Sequence, residues 1–393
     1  MSRIHPLYAA MEPTIFEHMS RLAIAHGAIN LGQGFPDEPA RPEMIEAAAQ
    51  ALAERSNQYP PAFGLPELRD AICDFYRRRQ GLPLVRDQVI VTSGATEALA
   101  AALLALVRPG DEVILFQPAY DAYAPMILRA GGVPVSVPLA PPQWRYDASA
   151  LVGAITPRTR LLMFNDPLNP AGKVASADEL AMIAAACVRH DLIAICDEVW
   201  EDVRFDAVPH RSLLSFPGME DRAVKIGSAG KIFGLTGWKV GWLCAAPDTA
   251  AALGRAHQFL TFTTPPALQW AVAEGLDRPD SWFASRNERW ATSRTRLAAD
   301  LERAGFVALP GAATWFLCID LAASGIGIDD RQFSERAVRE AGVASIPVSA
   351  LFDGEGPKHI VRLCFAKDPA ILGEAVERLA RFRDTLAGEQ SLS

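Results

Sequence analysis

A chain of 393 residues, 50% hydrophobic and 21% charged, has ordinary globular composition and enough length for one large domain and a smaller one. Its formal net charge of −8 gives it no basic footprint for nucleic acid or an anionic membrane surface, so small ligands are the expected partners. Apolar runs such as 98–107 and 192–196 fall far short of the roughly 20 residues that span a bilayer, and residues 1–12 lack the basic start and apolar stretch of a secretory signal, so a cytoplasmic location is expected.

The segment up to residue 45 differs in grain from the central part of the chain. From 88 to 245, short apolar strands at 88–92, 112–116, 133–137, 160–164, 192–197, 223–227 and 240–245 alternate with helical spacing at 96–107, 121–130 and 178–190. That alternation predicts an α/β fold with a mainly parallel seven-stranded sheet flanked by helices. Beyond 285, long helices (282–304, 331–341, 370–386) alternate with isolated strands (313–321, 344–347, 359–365), as in an α+β layer. The expected division is a large α/β domain over 46–284 and a smaller α+β domain built from both ends, 1–45 plus 285–393, with the ligand in the cleft between them. Six cysteines occur without any C-x-x-C pair or neighbouring histidine, so neither a disulfide framework nor a metal site is expected. They read as small buried hydrophobes.

Three residues carry chemistry together: Asn169 in a proline-rich turn, Asp197 closing the apolar strand 192–197, and Lys231 in Ser228-Ala-Gly-Lys231. Each follows a strand end, where loops of an open α/β sheet converge along one edge. The trio suits pyridoxal phosphate, whose ring is an electron sink only with its pyridine nitrogen protonated and its aldehyde held by a lysine. Asp197 supplies a carboxylate for the nitrogen, Lys231 the Schiff base and afterwards the base for the Cα proton, and Asn169 an amide for the ring oxygen. Each alone has an ordinary alternative: a turn-forming asparagine, a solvated lysine. The strand–turn–helix at Val91-Thr-Ser-Gly-Ala-Thr-Glu97 offers the amides of Ala95 and Thr96 to a phosphate, with Ser228 and Lys239 completing the cradle; the same turn is equally an ordinary helix cap. Arg362, opposite Val361 and Leu363 on a strand, is either a bidentate clamp for a substrate carboxylate or a surface arginine.

With these residues in place, the chain resembles the class I/II aminotransferases of fold type I over about residues 5–385. Asn30-Leu-Gly-Gln-Gly-Phe-Pro-Asp37, Asn57-Gln-Tyr59, Pro109-Gly-Asp-Glu-Val113, Asp197-Glu-Val199, Thr236-Gly-Trp-Lys-Val-Gly241 and Val361-Arg-Leu-Cys-Phe365 stand in that family's order, closest in form to the kynurenine, glutamine and methionine transaminase branch. The resemblance implies pyridoxal 5'-phosphate on Lys231, Asp197 at the pyridine nitrogen, Asn169 at the ring oxygen and beside the substrate, and Arg362 with the backbone of Gly34 at the substrate carboxylate. It also implies Tyr120 stacked on the ring, and a homodimer whose second subunit donates Tyr59 to the phosphate and Phe262 to the pocket. An L-amino acid (methionine, glutamine, aromatic or kynurenine-like) would pass its amino group to a 2-oxo acid through the pyridoxamine form of the cofactor. A carbon–sulfur β-lyase or a ligand sensor on the same fold are the alternatives. Three positions depart from the pattern: Trp200 stands where the family has a tyrosine beside the ring oxygen, Ala171 replaces a threonine and Ala119 an aromatic. Trp200, Tyr120, Tyr123, Phe35 and Phe262 suggest an aromatic-rich cleft.

Overall fold

The computed structural model describes residues 3–206 and 208–390. After β1 (Ile29–Asn30), seven strands form one sheet: β2 (Val89–Thr92), β3 (Glu112–Gln117), β4 (Val133–Pro138), β5 (Thr159–Asn165), β6 (Ile193–Asp197), β7 (Ala223–Ser228) and β8 (Gly241–Cys244). Their order is β2-β8-β7-β6-β5-β3-β4, parallel except where β8 pairs with β2 and β7. These are the seven strands expected from the sequence, and no end moves by more than one residue.

Apart from the edge strand β4, the strands alternate side chains between two buried faces, as a mainly parallel sheet covered on both sides must. Leu162, Phe164, Ala194 and Cys196 join one core cluster, while Leu161, Met163 and Ile195 join the other. All six cysteines are buried thiols, as expected. The helix Ala95–Leu106 is nearly all alanine and leucine, both strong helix formers. Ala177–His190 opens with a capping box in which Ser176 and Glu179 satisfy each other's backbone amides.

The C-terminal part adds β9 (Val307–Ala308), β10 (Phe316–Asp320), β11 (Val343–Ala344), β12 (Ile346–Pro347) and β13 (Ile360–Cys364). Four of them form an antiparallel sheet in the order β12-β13-β10-β9, and β11 pairs in parallel with β1, so the two chain ends meet. Two local expectations differ. The single strand expected at 344–347 is divided between two sheets at buried Ser345, whose hydroxyl lies 2.9 Å from that of Ser334. The helix expected at 331–341 is α-helical only over Asp330–Arg336 and relaxes into a π turn over Ala337–Ala341.

Two helices cross the boundaries expected at 45/46 and 284/285. Pro42–Glu54 packs Ala47 and Ala48 on Ala271 of the large layer. Asp280–Arg303 is one rod whose Phe283 lies against Phe75 and Phe233, while Leu297 and Leu301 join Leu372 and Leu379. Rods shared in this way tie the layers together.

What positions the site is the register. Asn165 ending β5 faces Asp197 ending β6, and Ser228 ending β7 faces Gly241 opening β8, whose other neighbour there is Thr92 of β2. The loops after β2, β5, β6 and β7 therefore leave one edge together.

Candidate active site

The turn after β2 begins at Gly94, the N-cap of Ala95–Leu106, with φ +79. Left-handed backbone favours glycine, and a Cβ here would lie 3.2 Å from Lys239 Nζ. The lysine therefore hangs over free amides at a helix start, which is a cradle for an anion. Ser228, Ala95, Thr96 and Lys239 all line one cavity of about 990 Å³, together with Asp197, Asn169, Tyr120, Trp200, Lys231, Gly34 and Arg362.

Asp197 is buried and takes a hydrogen bond from the Tyr123 hydroxyl at 2.5 Å and one from the Val199 amide at 3.3 Å. Burial pushes its carboxyl up, and the Tyr123 bond only partly offsets this. A cation placed beside this carboxyl would favour its charged form. Asn165 holds the strand end by donating Nδ2 to the Asp197 carbonyl at 2.8 Å, and its Oδ1 receives the Asn169 amide at 2.9 Å.

Arg362 is 2% exposed, so the surface alternative is gone. It donates to Asn169 Oδ1 at 3.2 Å and to the Gly32 carbonyl at 2.6 Å, and its guanidinium lies 3.9 Å from the Phe316 ring centre. With Oδ1 engaged, Asn169 keeps its NH2 group free to donate. Arg362 Nε is buried without a partner, an orphan donor that a carboxylate would satisfy. Phe316 also explains Gly34: a Cβ there would sit 2.7 Å from the ring.

Lys231 points its amine at two indoles, 4.8 Å from Trp200 and 5.3 Å from Trp315. Burial pushes the ammonium down to about 8; Asp197 opposes this while Arg362 and Lys239 add to it. Trp200 itself is wedged edge-on against Trp315 and Phe316. Trp200→Leu removes a ring that favours the charged amine, so Lys231 of the apoprotein should titrate roughly one pH unit lower, read from the pH dependence of cofactor capture; an unchanged profile would count against that contact.

Tyr59 and Phe262 do not join this cavity. They are 82% and 39% exposed and touch each other edge-on at 5.3 Å. Phe35 also lies outside it, over the Lys367 ammonium at 4.3 Å. Sequence reasoning did not single out Trp315 and Phe316, which read as core strand, nor Asp121 and Arg129, which line the cavity from the segment after Tyr120. The Arg129 guanidinium has no ion pair or hydrogen bond among the described residues.

Directly behind Asp197, Glu198, Glu201 and His210 could hold a metal by spacing alone. That place already has a cation: the buried Lys225 ammonium bonds both Glu198 and Glu201, the latter at 2.5 Å.

A parallel sheet whose strand ends gather an anion cradle, a buried carboxylate, an amide and a buried amine defines an enzyme of the pyridoxal-phosphate type. The chain belongs to the class I and II aminotransferases, whose family profile, aminotransferase class I and II, matches residues 26–379; it is an aminotransferase and uses pyridoxal 5'-phosphate. It is 44% identical to the "probable N-succinyldiaminopimelate aminotransferase DapC" of Mycobacterium tuberculosis, over 97% of this chain and 98% of that protein. It is 39% identical to the methionine aminotransferase of Escherichia coli, over 93% and 95%, and 35% identical to the human kynurenine–oxoglutarate transaminase 1, over 92% and 94%. The solved M. tuberculosis N-succinyldiaminopimelate aminotransferase superposes with a TM-score of 0.93 at 43% identity, covering 96% of this chain and 99% of that one. Among the described residues no helix is long and apolar enough to cross a membrane.

Proposed function

We propose that the amino donor is an L-amino acid with a long, mainly apolar side chain, of the methionine, glutamine, aromatic or kynurenine-like kind, and that a 2-oxo acid is the acceptor. The observation that carries this is the apolar part of the cavity lining, which includes Met11, Leu99, Leu104, Pro125 and Met126. Arg362 and the Gly34 backbone take the α-carboxylate. Lys231 takes the proton from Cα and returns it, Asp197 keeps the pyridine nitrogen protonated, and Asn169 donates to the ring oxygen, with Tyr120 against the ring. Bound pyridoxal phosphate supplies the electron-withdrawing ring and the aldehyde that carries the amino group.

The unit formed by 1–45 and 285–393 brings β13 and Arg362 over the large layer, and we read it as the part that closes on substrate. The exposed Tyr59–Phe262 pair, outside its own cavity, is offered to a second subunit, which makes the functional unit a homodimer. A second reading has one specific support: Arg129 lines the same cavity unpaired, so a donor with a distal carboxylate, such as an N-succinylated diamino acid, would find a cation there.

A half-reaction panel separates these. Methionine, glutamine, phenylalanine, kynurenine and N-succinyldiaminopimelate are each mixed with the holoprotein, and loss of the lysine-bound cofactor absorbance is followed. Fastest loss with the first four supports the main reading; preference for the last, abolished by Arg129→Ala, supports the second. Ammonia and pyruvate released from a cysteine conjugate without any 2-oxo acid would instead mark a β-lyase. Arg362→Lys should raise the KM for the amino acid about tenfold with little change in kcat, because a point charge cannot replace the planar fork.

A further inference from the structure

Behind the phosphate cradle lies a buried pair that none of these roles uses. Glu97, in the first turn of Ala95–Leu106, accepts hydrogen bonds from the Ser93 amide, from the Thr261 hydroxyl at 2.8 Å and from His257 Nδ1 at 2.5 Å. His257 is fully buried, and its Nε2 lies 2.8 Å from the Ala62 carbonyl oxygen. Both ring nitrogens thus face acceptors, and a neutral imidazole has only one N–H. The ring therefore bridges the Glu97 carboxylate and the Ala62 carbonyl, one nitrogen to each. Burial pushes the Glu97 carboxyl up, but the bonds from His257 and Ser93 outweigh it and hold it below the usual carboxylate range.

Three segments meet at this joint. One is the turn 93–96. The second is the loop through Ala62, which carries Tyr59. The third is the loop 257–264, in which Phe262 is held at φ +66, a conformation that costs a non-glycine residue energy and persists only when its surroundings impose it. Ser93 and Thr264 hydroxyls 3.0 Å apart tie the first segment to the third again.

We infer that Glu97 and His257 are positioning residues that set, through one charge-assisted joint, both the phosphate turn of their own subunit and the Tyr59–Phe262 surface presented to the neighbouring subunit's cavity. The second half rests on the dimeric reading above.

Charge and position predict opposite signs for the first half. Glu97 is an anion beside a phosphate site, so removing it should tighten pyridoxal phosphate by electrostatics alone. The joint predicts that Glu97→Ala weakens the cofactor about tenfold, measured as the equilibrium absorbance of lysine-bound pyridoxal phosphate in titrated apoprotein. Glu97→Gln should stay within about threefold of wild type, because its amide can accept from Ser93 and donate to a neutral His257 that still donates to Ala62. Unchanged or tighter binding in Glu97→Ala overturns the assignment.

The second half is read in dimers of differently tagged chains. One chain is wild type and the other carries Lys231→Ala, with or without His257→Leu, so that only the wild-type chain has a reactive lysine. Its own Glu97–His257 pair is intact, yet its KM for methionine should rise about tenfold when the partner carries His257→Leu. Equal KM values overturn the trans coupling. If His257→Leu does not fold, Thr261→Val cuts the same joint near Phe262 and should raise that KM about threefold. A chain that sediments only as a monomer overturns the dimer reading and the trans half with it, while the Glu97→Ala titration still decides the cis half.

Discussion

Lys231→Ala should lower transamination about 10⁴-fold or more while pyridoxal phosphate is still retained. The two effects separate because the cradle at Gly94, Thr96, Ser228 and Lys239 does not use the Lys231 side chain, and the other lysine that lines the cavity among the described residues is Lys239. Lys239 lies over the turn at Gly94, on the anion side of the cavity. The pH dependence of the wild type carries the same signature. Burial lowers the Lys231 ammonium to about 8, so the neutral, nucleophilic amine appears as pH rises through 8 rather than through the ordinary lysine range. Cofactor capture by apoprotein should therefore accelerate between about pH 7 and 9 and level off above. A rise that continues beyond pH 10 would show that Lys231 is not desolvated as its surroundings indicate, and appreciable turnover in Lys231→Ala would remove it from the chemistry.

The largest stability effect is expected at Lys225. Its ammonium is fully buried between Glu198 and Glu201, whose remaining valences are filled by His210, Ser212, Gln80 and the Tyr76 hydroxyl. Breaking a buried ion pair from one side costs about 3–5 kcal/mol, because the charges left behind have no water. Lys225→Met should cost that much in denaturant unfolding at pH 7, while Lys225→Met combined with Glu198→Gln and Glu201→Gln should recover a good part of it. The pH dependence comes from the direction of the shift. Burial pushes the Glu198 carboxyl up, but Lys225 and His210 outweigh it and hold it down to about 2. A carboxylate depressed in the folded state contributes stability above its unfolded range near 4.5 and loses it as pH falls toward 2. Wild type should thus lose stability across that window, and the gap between it and Lys225→Met should narrow. A gap that stays constant from pH 7 to pH 3 would mean the network carries no net charge coupling.

The strands were legible because a sheet buried on both faces writes itself as apolar runs of fixed length, and β2 to β8 appear where those runs do. Less legible were four helices, Pro42–Glu54, Pro66–Gln80, Pro247–Gln258 and Pro266–Leu276, although each opens with proline in its first turn, a common helix start. Lys231, Asp197 and Asn169 could be placed on one cavity from strand-end position and side-chain chemistry, whereas Arg362, in the middle of β13, had a surface alternative until its burial was seen. Tyr123 and Phe316 could not be given roles in the same way. An aromatic residue in a helix or an apolar strand looks like core until the fold shows that its hydroxyl reaches Asp197 or that its ring carries Arg362. The Glu97–His257 pair spans 160 positions, a separation at which no local pattern exists.

Arg362 is fixed before any substrate arrives: one bond to Asn169, one to Gly32, and an aromatic face beneath it. Little side-chain freedom remains to be lost when a carboxylate docks. The cavity wall near Tyr8, Met11 and Thr14 and along the helix Tyr123–Arg129 belongs to other segments. If Arg362 takes the carboxylate as proposed, substitutions in those segments can change which side chains fit while the clamp for the shared end of every amino acid stays in place.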